Sequence, residues 1–115
     1  MRNDARIDTS EAAATLAHAL ALQERNDEAQ AILQPALAFY RQEQQAGAMG
    51  INFTDNFAYA LYVSALAHAD DSDGHAKRTA DRADAVRLID GSSAEAKQLA
   101  SMREVSGLIT AARAK

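Results

Sequence analysis

Apolar residues recur at helical spacing along most of the chain, and no stretch alternates with the two-residue period of a strand. The first run predicts a helix over about 10–23, with Ala13, Leu16, Ala17 and Leu20 on its core stripe. Asp8 with Glu11, or Thr9 and Ser10 just ahead of the run, offers the side-chain cap that starts it. Residues 1–9 are polar and are expected to be frayed. Glu24-Arg25-Asn26-Asp27 reads as a turn, and Asn26 or Asp27 caps a second helix over about 27–46. Its apolar set, Ala29, Ile32, Leu33, Ala36, Leu37, Phe39 and Tyr40, is wide enough to face two neighbours. Pro35 lies inside this set without disturbing its phase, which predicts a kink and not a break. Gly47 and Gly50 stop the helix.

Asn52 or Thr54 caps a third helix over about 55–69, apolar on all sides and free of Asp, Glu, Lys and Arg between Asp55 and Asp70. A helix of that kind is central, or presents one face to a partner. Asp70-Asp71-Ser72-Asp73-Gly74 reads as a polar turn. A fourth helix over about 75–89 has a narrow apolar face of Ala76, Ala80, Ala83 and Val86. Asp73/Lys77, Lys77/Asp81 and Asp84/Arg87 lace its solvated side at i,i+4 and i,i+3 spacing. Asp90-Gly91 ends it, and Ser92 with Glu95 forms a capping box for a last helix over about 93–113. The stripe of that helix is Ala96, Leu99, Met102, Val105, Ile109 and Ala112, interrupted by Gly107. The fold class is therefore all-α, with about five helices in one domain spanning 10–115.

Composition sharpens this picture. Of 115 residues, 28 are alanine and only 21 are Leu, Ile, Val or Phe, so close helix approach, more than bulky side chains, must build the core. Twelve basic against sixteen acidic residues, a net charge of −4, argue against nucleic acid as a partner. No apolar window is long enough to span a membrane, and the N-terminus lacks the apolar segment of a secretory signal. The absence of cysteine removes disulfides and thiolate metal sites and fits a cytoplasmic setting.

The unit from Ser10 to Glu43 has 34 residues, with Leu16-Ala17 and Leu20 on its first helix and Ala29, Leu33 and Ala36 on its second. This spacing resembles one tetratricopeptide repeat (TPR): the large–small pair and later large position of helix A, then the small–large–small set of helix B. Ala13 stands where the family has its early Trp, and Arg41 where it has its terminal Pro. The second unit, about 53–90, is degenerate: Leu61 fits helix A, but Tyr62 follows where a small residue belongs. The resemblance implies two TPR-like helix pairs, about 10–46 and 53–90, capped by a C-terminal helix over about 92–113. A five-helix bundle with the same pairing is the alternative. Similar Ala-rich helical repeats occur as C-terminal appendages of bacterial signalling proteins, including serine/threonine kinases.

Chemistry-bearing residues do not assemble into a reaction centre on this reading. His68, Asp70, Asp71, Asp73 and His75 have metal-ligand types but match no calcium-loop spacing, and read as an interhelical turn. No nucleophile motif or phosphate-cradling glycine pattern is present, so neither enzymatic activity, a cofactor nor a metal is expected. The family resemblance implies instead a groove lined by the A helices that binds an extended peptide or a helix. The ridge Tyr59, Tyr62, Val63 and Leu66 on the third helix is the candidate partner-binding surface, with His18 on the first helix facing the same groove. Burial of the ridge under other helices is the competing reading. A protein or peptide segment is the expected partner, and a second copy of the chain, forming a homodimer, is the alternative.

Overall fold

The computed structural model describes residues 2–47, 51–68, 72–91, 103 and 107–108, with side chains from Thr9 onward other than those of Ile51, Asn52 and Asp55. Among the described residues the chain is all-helical, with α1 (Arg2–Leu22), α2 (Asn26–Gln45), α3 (Ile51–Leu66) and α4 (Ser72–Asp90). The fifth helix expected over 93–113 lies outside the described residues apart from Arg103, Gly107 and Leu108, which are helical. Leu108 is half-buried against the core.

Helix α1 begins at Arg2 instead of near Ser10, because residues 2–9 hold neither Pro nor Gly and nothing in them breaks a helix. Its end is a backbone device. Glu24 adopts the left-handed conformation (φ 61°), Arg25 N–H donates to the Leu20 carbonyl (2.9 Å) and Glu24 N–H to that of Ala21 (3.0 Å). These are the two bonds of a Schellman motif, closed without the usual glycine. The expected side-chain cap of α2 is absent: Arg25 is the capping position and makes no cap bond, while Asp27 lies in the first turn. Arg25 is instead bridged to Glu28 along the surface. Helix α2 continues through the exposed Pro35 and stops at Gly47, whose φ of +75° terminates it without a Cβ penalty. Gly50 lies outside the described residues.

Helix α1 packs on α2, α3 on α4, and α3 on both members of the first pair. The width of the α2 apolar face is thereby used: Ala29, Leu33, Ala36, Leu37, Phe39 and Tyr40 are all buried. Small residues fill the closest approaches, with Ala17, Ala29, Ala58 and Ala60 fully enclosed. Aromatic rings cluster where α2 meets the start of α3. Tyr40 stacks on Phe57 (5.5 Å between centroids) and meets Phe53 edge-on (5.3 Å), joining the later part of α2 to the start of α3. Each fully buried leucine here, Leu33, Leu37 and Leu61, contributes about 1.5–3 kcal/mol by leaving water.

Further positions differ from the expected pattern. Helix α3 starts at Ile51, so Asn52 and Thr54 lie within it and do not cap it. Helix α4 starts at Ser72, which draws Ser72, Asp73 and Gly74 out of the expected turn, with Gly74 buried. Its inner face is also not the alanine stripe: Ala76, Ala80 and Ala83 are exposed, while Gly74, Ala85 and Ile89 are buried and Arg78, Asp81 and Leu88 half-buried. Polar side chains occupy that interior because they are hydrogen-bonded there. Leu16 is likewise off the core, 51% exposed on the outer side of α1.

Candidate functional site

The expected partner-binding residues divide between core and surface. Helix α3 is packed from several directions, and every side chain described on it is buried or half-buried. Val63 is fully enclosed and Tyr62 nearly so, which removes Val63 from any partner surface. Tyr59 and Leu66 are half-buried on the rim of the core, and His18 reaches Tyr59 from α1. The structure therefore joins His18, Tyr59 and Tyr62 in one cluster, with Leu66 two turns along α3 from Tyr59.

The cluster is held by a hydrogen bond and three ring contacts. Tyr59 Oη lies 2.6 Å from His18 Nδ1, and the hydroxyl donates when the imidazole carries its proton on Nε2. His18 meets Tyr59 and Tyr62 edge-on, at 5.5 and 5.7 Å between centroids, and the two tyrosines stack at 6.5 Å. Burial lowers the pKa of His18 from its ordinary 6.5 and raises that of Tyr62 from 10.0, because both charged forms lose water there. His18 is thus neutral at neutral pH. Its Nε2 has no hydrogen-bond partner among the described residues, and residues 12–23 carry no Asp, Glu, Lys or Arg. Such a surface offers ring faces and single hydrogen bonds, with little charge for electrostatic steering.

A second constellation, not anticipated from the sequence, ties three helices together. Asp81 Oδ2 on α4 accepts from Ser64 Oγ (2.6 Å) and lies 2.8 Å from His68 Nε2. Asp81 therefore does not pair with Lys77, which bridges Asp73 at 3.1 Å. Gln30 Nε2 on α2 donates to the carbonyls of Ser64 (3.1 Å) and Ala67 (3.3 Å). Arg78 donates to those of Ala65 (3.1 Å) and His68 (3.0 Å). Two neighbouring helices thus donate to the carbonyls at and just beyond the end of α3. Ser64, His68 and Asp81 share residue types with a hydrolytic triad, but not its order. In a triad histidine stands between serine and carboxylate, whereas here serine and histidine meet the same carboxylate oxygen. Ser64 is also only 2% exposed, so no substrate reaches it. The one signal available beforehand was Ser64 and His68, four residues apart on an otherwise uncharged helix.

His68 and Asp73 are engaged in the pairs above, His75 is exposed, and Asp70 and Asp71 lie outside the described residues. Among the described residues no group of three or more acidic or histidine side chains could hold a metal ion. Among the described residues, too, no helix is long and apolar enough to cross a membrane. No protein-family model, no curated protein and no solved structure matches the chain.

Proposed function

We propose that this chain is a non-catalytic binding module of TPR-like helix pairs that docks a protein or peptide segment, as part of a larger bacterial signalling or regulatory protein. The observation that carries the reading is the His18–Tyr59–Tyr62 cluster between α1 and α3, the first helices of the two pairs. Support for the repeat reading comes from the order of packing, α1 with α2, α3 with α4, and α3 on both members of the first pair. The bacterial signalling context rests on the family resemblance of the Ser10–Glu43 unit. In the groove Tyr59 and Leu66 supply apolar contact, and His18 Nε2–H is a donor for a main-chain carbonyl of the docked segment.

Panning a random-peptide display library on the immobilised chain tests this. Enriched peptides should shift the NMR signals of His18, Tyr59 and Leu66, and should bind about tenfold more weakly to a His18→Gln, Tyr59→Phe variant. No enrichment, or binders indifferent to both changes, would sink the reading.

Self-association is favoured by a different observation. The outer face of α1 exposes Leu16 (51%) and Leu22 (71%) on either side of the exposed Ala19. Sedimentation velocity should then show a dimer that Leu16→Glu with Leu22→Glu dissolves; a monomer at every concentration removes this second reading.

A further inference from the structure

We propose that the chain's self-association, on which this inference rests, uses a groove between α1 and α2 on the side of that pair away from α3, where a second copy docks across a two-fold axis. The groove has a volume of about 480 Å³ and is lined among the described residues by Thr9, Ser10 and Ala13 from one helix and by Ile32, Pro35 and Phe39 from the other. His18 on α1 and Gln30 on α2 are the side chains that reach α3. Ala13 and Pro35 each stand five residues from them, about 140° around the helix, and so on another side.

The groove is open and its rim is apolar. Thr9 and Pro35 are exposed and Ala13 and Ile32 half-buried, above a floor of buried Ser10 and Phe39. One turn along α1 from Ala13, Leu16 extends the rim at 51% exposure. Where a stack of helix pairs ends in water, its outer face is polar. This face is not, which marks it as one that another helix pair covers.

Charge assigns the partner. Along α1 the stripe of Thr9, Ala13 and Leu16 continues backwards through the register positions of Arg6 and Arg2, while Asp4, Asp8 and Glu11 take positions on the opposite side. Along α2 the stripe of Ile32, Pro35 and Phe39 begins one turn earlier, at the exposed Glu28. The two helices run antiparallel, so the basic positions lie at one end of the groove and Glu28 at the other, with an uncharged middle. Arg25 bridges Glu28, but Glu24 and Asp27 in the same turn leave that end net acidic. A two-fold axis through the middle exchanges the ends and brings the basic end of each copy to the acidic end of the other. A face matched to itself in this way fits a second copy of the chain. Docking here leaves the His18–Tyr59–Tyr62 cluster, on the α3 side of α1, uncovered.

The test is sedimentation velocity of the full chain over a range of concentrations at neutral pH and fixed ionic strength. The wild type should dimerise, and Pro35→Glu should weaken the dimer by about tenfold or more, because the two-fold axis brings the two introduced carboxylates together in an apolar groove. Loss of the proline restores a helical N–H, so this variant keeps its helicity by circular dichroism and its loss of dimer is not unfolding. Leu22→Glu, on the far side of α1 from the groove, should leave the dimer intact. Arg6→Glu and Glu28→Lys should each weaken it, and the two together should restore it, because each copy then offers the exchanged charges to the other. A dimer that Leu22→Glu dissolves and Pro35→Glu leaves intact would overturn the groove while self-association through the outer face of α1 stands. A combined charge exchange no better than either single change would overturn the two-fold arrangement. A monomer at every concentration would overturn self-association and the groove together.

Discussion

Replacing Asp81 by alanine removes the single oxygen on which Ser64 and His68 converge, at 2.6 and 2.8 Å. The two losses are unequal. Ser64 is 2% exposed, and its other contact, Gln30 Nε2 at 3.5 Å, uses the serine oxygen as acceptor and leaves the O–H unsatisfied. An orphaned buried hydroxyl costs about 1–3 kcal/mol. The His68 side chain is 14% exposed and can turn its nitrogen toward water, so its loss adds only about 0.5–1 kcal/mol. Asp81→Ala should therefore destabilise the fold by about 1.5–4 kcal/mol. Asp81→Asn keeps an oxygen able to accept one bond and should cost about half as much. Asp84→Ala is the comparison: its pair with Arg87 is 43% exposed on the carboxylate side and is worth only about 0–1 kcal/mol. Urea unfolding followed by far-ultraviolet circular dichroism gives each difference, provided the slope with denaturant is unchanged. In a double-mutant cycle, Ser64→Ala should cost much less once Asp81 is gone, since the orphaned hydroxyl goes with it. If Asp81→Ala falls within about 0.5 kcal/mol of Asp84→Ala, the cross-tie between α3 and α4 is not a stabilising element and the reasoning fails.

Two further outcomes follow from the same structure. Glu24 occupies a left-handed position that costs a side chain about 1 kcal/mol and glycine almost nothing, so Glu24→Gly should raise stability by about 0.5–1 kcal/mol in the same assay; a loss would show that this end of α1 is not closed as described. His18 has a lowered pKa in the fold, so the unfolded chain takes up its proton first as pH falls. The stability that neutral His18 contributes is complete above about 6.5, the ordinary imidazole value, and declines below it. A His18→Gln variant should show a flatter pH profile across that window, and superimposable profiles would place His18 in water.

The contrast between α2 and α4 shows how much was legible in advance. Helix α2 buries large apolar side chains, so its core face follows directly from the spacing of Leu33, Leu37 and Tyr40. Helix α4 buries a glycine, an alanine and an isoleucine beside Asp81 and Arg78, and such a face has no apolar period to read. The candidate site divides in the same way. Tyr59, Tyr62, Val63 and Leu66 all look alike on a helix that is apolar all round, and only the placement of neighbouring helices separates enclosed Val63 from half-buried Tyr59.

By itself the sequence determined the helical class, the first two helices to within a few residues apart from the early start of α1, the stop at Gly47 and the central place of α3. Each of these rests on local physics: backbone propensity, the left-handed freedom of glycine, and the density of apolar side chains along one segment. Tertiary structure alone decided which polar groups go inside. Asp81 joins Ser64 and His68 across 17 and 13 residues, and Gln30 reaches Ser64 across 34, so these partners meet only after the helices have packed. A buried polar side chain is stable only when its partner is already in place, and that partner is invisible to any local window of sequence.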